Sequence, residues 1–456
     1  MDLLSKVFKH TDELAVYLKA GKPTFYHASK TSTVVPYEKL ENHLASIGVN
    51  EFVLGDLSSL EESMVLNERN ELVIRGAVTW KDAREFCQSK GRQIMTSPTE
   101  ELAAMLSGVA TSCTGERCFG FGTLRDQLIE VSYLDYMGNI KTLCAKRLLK
   151  DHALFANRED LNTLQSYQDA YQSYKEFKNA PFPRLEVETD LMTGTEGQLG
   201  VIIEGVFKTA PAQQVNYIFI ALPKWEQDSS LHQVVFEEVQ PLRDRVLSCE
   251  LIDENSWNYL EAEDIPRPGK DIIFLEIDSE YFEDVYEKVL IKLSTVLAEE
   301  DIFEVPESRC RELRMKIPRQ IFEANAKMGV TKKGTDVQVR ASDFSELLNF
   351  YKEIRVPGVE YNLFGHFGDA HLHFNYMPTV NDQKKCQVKL EELYNWVLEK
   401  KGSPFAEHGI GLIKIPFIKS FYGEAQLNLF SLLKSKMDPK SQFFPQGFMM
   451  ESTKSE

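Results

Sequence analysis

GHFGDAHLHFN, residues 365–375, sets three histidines, an aspartate and an asparagine among glycines. Read as an extended chain from Ala370 onward, alternate side chains share a face. His371, His373 and Asn375 then point together, and Leu372 and Phe374 point into a core. His366 lies in the preceding turn, between Gly365 and Gly368, and a turn folding back brings it beside His373. Imidazole nitrogens suit zinc, iron or manganese, but two of them are too few to hold a divalent ion. A third ligand stands in AEHGIG, where Glu407 and His408 precede Gly409. Two histidines and one carboxylate leave coordination positions open, as catalytic rather than structural sites do. His408 is placed to act as a base near neutral pH. Asp369 reads as a turn-capping carboxylate. His371 either adds a ligand or fills the face.

The chain around this stretch cycles strand and helix from about residue 205. Strands are expected at NYIFIAL, LSCELID and DIIFLEI, then at TDVQVRA, VEYNLFGH and AHLHFNYM, with helices around 228–246, 279–300, 342–353 and 382–401. Two such rounds predict one antiparallel sheet covered by helices on one face. The first part is also α+β: EFVLGDL, NELVIRGAVTW and QLIEVSYLD have strand patterning, and WKDAREFCQSKG has helical spacing closed by Gly91. GVATSCTGERCFGFG (108–122) reads as a loop whose backbone can approach a phosphate or a planar ring. Residues 145–180 read as a polar connecting helix. TGTEGQLGVIIEGVFK (193–208) runs three glycines into a β-branched strand, a tight turn against something flat. The first 21 residues read as an amphipathic helix, without the apolar core of a signal peptide.

Composition bounds the partners. The 456 residues carry a formal net charge of −17, and the lysines and arginines are dispersed, so no basic stripe is available for nucleic acid. A chain of this length predicts two or three domains. No window offers the ~18 uninterrupted apolar residues of a transmembrane helix. Seven scattered cysteines without CxxC spacing argue against a disulfide framework or a structural zinc site and for a reducing, cytoplasmic setting.

GHFGDAHLHFN resembles the G-H-x-G-D-G-N-x-H-x-N motif of the FAD-dependent D-2-hydroxyacid dehydrogenases, the D-lactate, glycolate and D-2-hydroxyglutarate enzymes of the vanillyl-alcohol oxidase superfamily. AEHGIGLIK is similar to their G-E-H-G-I-G-x-x-K, TGTEGQLGVII to G-S-E-G-T-L-G-I-I, and KMDPKSQFFPQG to K-x-x-x-D-P-x-x-x-x-N-P-G. The four run in the family's order. The resemblance implies an FAD-binding domain over 1–204, completed by 412–456, and a substrate-binding cap over 205–411. It implies FAD along Thr31, Ser32, Gly108, Thr111, Ser112, Gly115, Gly122, Glu196, Gly197, Gly200 and Ile202. It implies a divalent metal, zinc first and manganese or iron as alternatives, on His366, His373 and Glu407. His408 matches the base and Asn375 a substrate contact. Arg314 in CRELRMKIP and Lys333 in TKKGTDVQV fall near the positions of the cation that meets the substrate carboxylate. The implied activity is oxidation of a D-lactate-like hydroxy acid, with a quinone, cytochrome or electron-transfer flavoprotein as acceptor and, for the protein, a cytoplasmic location or one peripheral to a membrane.

The chain also departs from the pattern. The first phosphate loop, R-G-G-G-T-S in the family, falls at FYHASKTSTVVP (25–36), where Ala28, Ser29 and Lys30 replace the glycines. Side chains there crowd a pyrophosphate unless the loop has moved, although Lys30, Thr31 and Ser32 can donate to phosphate. Ala370 and His371 replace Gly-Asn, and Phe444 replaces the asparagine of N-P-G. Other flavin chemistry remains open, as an oxidase or an alkylglycerone-phosphate-synthase-like enzyme, and so does a relative that has lost FAD.

Overall fold

The histidine stretch runs as a strand. In the computed structural model, which describes residues 4–450 apart from 47–48, 50–51, 97 and 330–331, His371–Met377 pairs antiparallel with Glu360–Gly365, setting His373 opposite Phe364 and Asn375 opposite Asn362. Leu372, Phe374 and Tyr376 enter the main core. His371, His373 and Asn375 share the other face, as alternation requires.

This hairpin belongs to an antiparallel sheet ordered Ile302–Val305, Val215–Leu222, Asp271–Asp278, Val246–Ile252, Glu360–Gly365, His371–Met377 and Lys333–Gly334, with Val337–Gln338 also on His371–Met377. The expected strand at 335–341 shrinks to Val337–Gln338. On one face, helices Ser230–Val239, Phe282–Leu293, Phe344–Glu353 and Gln383–Glu399 bury Phe236, Val289, Leu347 and Leu393 against Ile220, Leu275 and Phe374. The opposite face carries a helix absent from the sequence reading, Glu307–Met328. Its Cys310, Leu313, Ile317 and Ile321 pack on Tyr217, Phe219 and Phe274. Those four follow a helical period, but dense charge and the internal Pro318 mask it.

The first half of the chain builds two larger sheets and a two-stranded pair, Arg92–Gln93 with Ala210–Pro211. Ser63–Leu66, Leu72–Arg75, Val201–Phe207, Leu128–Leu134 and Ile140–Cys144 lie antiparallel in that order. Helix Trp80–Ser89 follows Leu72–Arg75, its start capped by the Thr79 hydroxyl, which accepts the Asp82 N–H at 3.2 Å. Leu4–Val7, Val53–Asp56 and Thr24–His27 form a parallel three-stranded sheet. The single helix expected over residues 1–21 is therefore corrected: within the described residues a strand, Leu4–Val7, precedes helix Thr11–Leu18, because pairing with Val53–Asp56 outweighs local helical preference. The strand read at 51–57 is Val53–Asp56, and Glu51 lies outside the described residues.

Two further expectations change. The loop expected over 108–122 is mostly helical: Met105–Thr111 ends at a left-handed Ser112 (φ 51°), and Cys118–Phe121 follows. The connecting helix is limited to Arg158–Tyr171, against which Glu424–Met437 packs. The chain's last segment reaches the parallel sheet, where Thr24 donates its N–H to Gln442 O (2.9 Å) and accepts that of Phe444 (3.0 Å). All seven cysteines are free thiols. Among the described residues, no helix is long and apolar enough to cross a membrane.

Candidate active site

The strand and the 406–411 turn meet over the carboxylate of Glu407. His366 Nε2 lies 2.9 Å and His373 Nε2 3.4 Å from the same oxygen, Oε2. The outer nitrogen of each ring is held: His366 Nδ1 by Glu250 at 2.9 Å, His373 Nδ1 by the Thr335 carbonyl at 3.2 Å. Such outer contacts are what orient metal-ligating histidines. With Nδ1 protonated, each Nε2 aims a lone pair at a carboxylate that only accepts, so a cation, a proton or a metal ion, must stand between them. The donor set therefore fits a divalent metal. Burial opposes charge on His366, but Glu250 and Glu407 carry its pKa up to about 9, so without metal the ring is an imidazolium between two carboxylates.

Asp336 organises the other side. It is about 1% exposed and accepts from His371 Nε2 (2.9 Å), Lys414 Nζ (3.1 Å) and the N–H groups of Glu407 (3.2 Å) and His408 (2.9 Å), with His408 Nδ1 3.5 Å away. Ligand atoms of Asp336, His373, Glu407 and His408 lie within 4.8 Å of one another, and so do those of His366, His371 and Glu407. Asp336 takes the Nε2 proton of His371, while His366 and His373 turn free electron pairs onto one oxygen of Glu407. Burial keeps His371 neutral, with its pKa down to about 3. His408 stacks on His373 with ring centres 5.1 Å apart. Burial pushes its pKa down to about 4 against the pull of Asp336, so the ring is neutral at pH 7 with one nitrogen free to take a proton.

Asn375 continues the face. It is buried, with its Nδ2 on Asn362 Oδ1 at 3.0 Å. Gly334 stands opposite it in register, and a Cβ on Gly334 would come 2.5 Å from Asn375 Oδ1 and 3.6 Å from Lys332 Cε. Lys332 thus extends over the site face. Lys333 does not: it pairs with Tyr376 on the helix side, and its Nζ donates to Gln387 Oε1 at 2.8 Å. Alternation along the strand separates the two lysines, and Lys333, which the sequence suggested, lies on the side away from the histidines. Lys332 is solvent-accessible yet walled by protein, and burial lowers its pKa. Arg314, on the Glu307–Met328 helix, sets its guanidinium 5.5 Å from the centre of the Phe274 ring, whose cross-strand neighbour Glu250 holds His366, and it forms an ion pair with Glu116. Asp369 is more than a turn cap: it pairs with Lys178 at 2.8 Å and Arg243 at 3.2 Å.

The glycine-loop residues divide by what covers them. Above Gly197 a Cβ would meet nothing nearer than 3.9 Å, leaving its backbone open to a flat ligand. Thr111 and Ser112 line the same hollow as Gly194 and Glu196, together with Gly409 and Ile410. Ser112 Oγ donates to Asn179 Oδ1 at 2.7 Å, and Asn179 Nδ2 donates to the carbonyls of Ser112 (2.7 Å) and Ala406 (2.8 Å). The remaining positions are occupied by the protein itself. A Cβ on Gly108 would strike Cys113 Sγ at 2.7 Å, and one on Gly200 the Tyr133 ring at 2.4 Å. Gly115 gives its N–H to Cys118 Sγ at 3.2 Å, and Gly122, at φ 78°, ends helix Cys118–Phe121. Glu196 binds the N–H groups of Ile410 (2.6 Å) and Gly411 (3.0 Å), holding the 406–411 turn, and Ile202 is a strand residue paired with Tyr133. At the first loop, Lys30 keeps a left-handed φ of 54°, a conformation usual for glycine. Thr31 is exposed, and Ser32 Oγ accepts the Val34 N–H at 3.4 Å. One left-handed position is thus kept in this loop without its glycines. With the open Gly197, these residues fit FAD.

Comparison with known proteins identifies the family and the fold. The family described as FAD linked oxidases, C-terminal domain, matches residues 212–446, more than half of the chain. A D-lactate dehydrogenase of Anaerostipes hadrus is 22% identical over 469 aligned positions, covering 96% of this chain and 91% of that protein. The mitochondrial D-lactate dehydrogenase [cytochrome] of Kluyveromyces lactis is 20% identical over 430, covering 89% and 68%. The mitochondrial D-2-hydroxyglutarate dehydrogenase of Arabidopsis thaliana is 24% identical over 268, covering 56% and 47%. In fold, the chain matches a structure of alkyldihydroxyacetonephosphate synthase with a TM-score of 0.64 at 13% identity, covering 97% of this chain and 76% of that one. The chain belongs to the FAD-linked oxidase family and is an FAD-linked oxidoreductase, distantly homologous to the D-lactate, glycolate and D-2-hydroxyglutarate dehydrogenases.

Proposed function

We propose that the protein oxidises a D-2-hydroxy acid of the D-lactate type to its 2-oxo acid, with a divalent metal, zinc by preference, on His366, His373 and Glu407. The observation that carries this reading is the convergence of two Nε2 atoms on one Glu407 oxygen, at 2.9 and 3.4 Å, with the His408 ring stacked alongside. Bound there, the metal would draw electron density from the substrate's hydroxyl and carboxylate oxygens, and FAD would accept the hydride from its Cα. His408 has Nδ1 turned to Asp336, so Nε2 is the atom that takes the hydroxyl proton. Lys332 supplies the charge that an anionic substrate needs, and Asn375 a hydrogen bond on the same face. The chain's net charge of −17 gives no general attraction to an anion, so this local cation does the recruiting.

The test is the visible spectrum and metal content of the purified protein, followed by anaerobic addition of D-lactate. Flavin bands, stoichiometric metal and bleaching by the D but not the L acid are expected. A flavin- and metal-loaded protein bleached by no D-2-hydroxy acid would overturn the proposal. Within that assay Lys332→Ala raises KM by about 10- to 100-fold, the loss of one charged hydrogen bond. Lys333→Ala leaves KM within about twofold, because its ammonium serves Gln387.

A further inference from the structure

The cations around the site are nearly all spoken for. Arg117 is paired with Glu276, Lys178 with Asp369, Lys414 with Asp336 and Arg314 with Glu116. Among the described residues, Lys332 has no carboxylate partner. Glu116 comes from the turn before helix Cys118–Phe121, and Arg314 from the helix on the site face of the antiparallel sheet. Their side chains are 21% and 15% exposed, and the Thr99 hydroxyl donates to Glu116 Oε1 at 3.4 Å, so the carboxylate is held in place.

We infer that Glu116 sets substrate specificity by occupying Arg314, so that the site accepts 2-hydroxy monocarboxylates and turns away dicarboxylates. The inference rests on the hydroxy-acid reading above. A monocarboxylate carries one charge to be met, and among the described residues around the site Lys332 is the cation without a carboxylate partner to meet it. A second carboxylate on a longer acid needs a second cation, and the other cation within reach, Arg314, is already neutralised. To use it, the ligand must displace Glu116 and leave that carboxylate unpaired in a half-buried wall, an outcome that electrostatics penalises twice. Arg117, beside Glu116 in sequence, offers no alternative, since both its Nε and Nη2 contact Glu276.

Two measurements on the flavin- and metal-loaded protein test this. The first is calorimetric binding of oxamate, a lactate-like monocarboxylate, and of 2-oxoglutarate, a dicarboxylate; neither is oxidised. The second is the ratio of kcat/KM for D-lactate over D-2-hydroxyglutarate. Wild type is expected to favour the monocarboxylate in both. Glu116→Gln, which keeps the shape and frees Arg314, shifts both ratios toward the dicarboxylate by about tenfold or more. Adding Arg314→Ala to that variant cancels the shift, which a general loosening of the wall would not do. Ratios unchanged by Glu116→Gln, or a wild type that prefers the dicarboxylate while turning over hydroxy acids, would overturn the role of Glu116 and leave the proposed activity standing. Absence of binding and turnover with every one of these acids overturns both.

Discussion

Glu407→Gln lowers kcat/KM by about a thousandfold, or ~4 kcal/mol of transition-state stabilisation, and strips the protein of metal without removing flavin. The amide keeps the shape of the side chain but loses the charge on which His366 and His373 converge. One of its two polar ends becomes a donor, and a donor cannot share a cation with two imidazole lone pairs. Metal content, flavin content and the rate of anaerobic flavin reduction read the three effects separately. His371→Asn is the control, since His371 faces Asp336, and its metal content stays at the wild-type level. Loss of metal from His371→Asn with retention in Glu407→Gln would place the ion on the other group of side chains.

The second large effect is expected at Asp336. Asp336→Asn leaves Lys414 buried without its counter-charge and gives the N–H groups of Glu407 and His408 a poorer acceptor. Breaking a buried pair from one side costs about 3–5 kcal/mol, which for a large chain lowers Tm on the order of 5–10 °C. Turnover falls as well, by about a hundredfold, because the same carboxylate positions both a metal ligand and the base. Adding Lys414→Met removes the stranded charge, so the double variant regains most of the Tm and none of the turnover. Recovery of both would mean that Asp336 serves stability alone. The pH dependence has a definite sign. Burial would raise the pKa of Asp336, but His408, Lys414 and His371 hold it well below the usual carboxylate range. Its stabilisation is present above the unfolded-state pKa near 3.9 and is lost as pH falls through the lower folded-state value.

What was legible in the sequence followed from short-range regularities. A period of two separates His371, His373 and Asn375 from Leu372 and Phe374 without any knowledge of the partner strand, and the sheet and its covering helices follow from the same kind of pattern. The turn at 406–409 was legible because glycine and two chemically active residues adjoin. What was missed depends on partners distant in sequence. Nothing near Asp336 marks it as the acceptor for His371, Lys414 and the turn. Nothing near Glu116 points to Arg314, about two hundred positions away. The sequence does not separate Lys332 from Lys333, yet in a strand one residue is the difference between opposite faces. The glycines at 108 and 200 read as open cradles, whereas Cys113 and Tyr133 fill the space beside them.

Asn179 has a mechanical consequence. One amide side chain bonds the backbone at Ser112, on the side read as the flavin cradle, and the backbone at Ala406, next to the Glu407 ligand. Its neighbour Lys178 reaches Asp369 at 2.8 Å, beside the histidine strand. The two sides of the candidate site are therefore tied together at adjacent residues, Lys178 and Asn179. Their separation, the length across which a hydride would pass, is set by two hydrogen bonds and an ion pair within the protein itself.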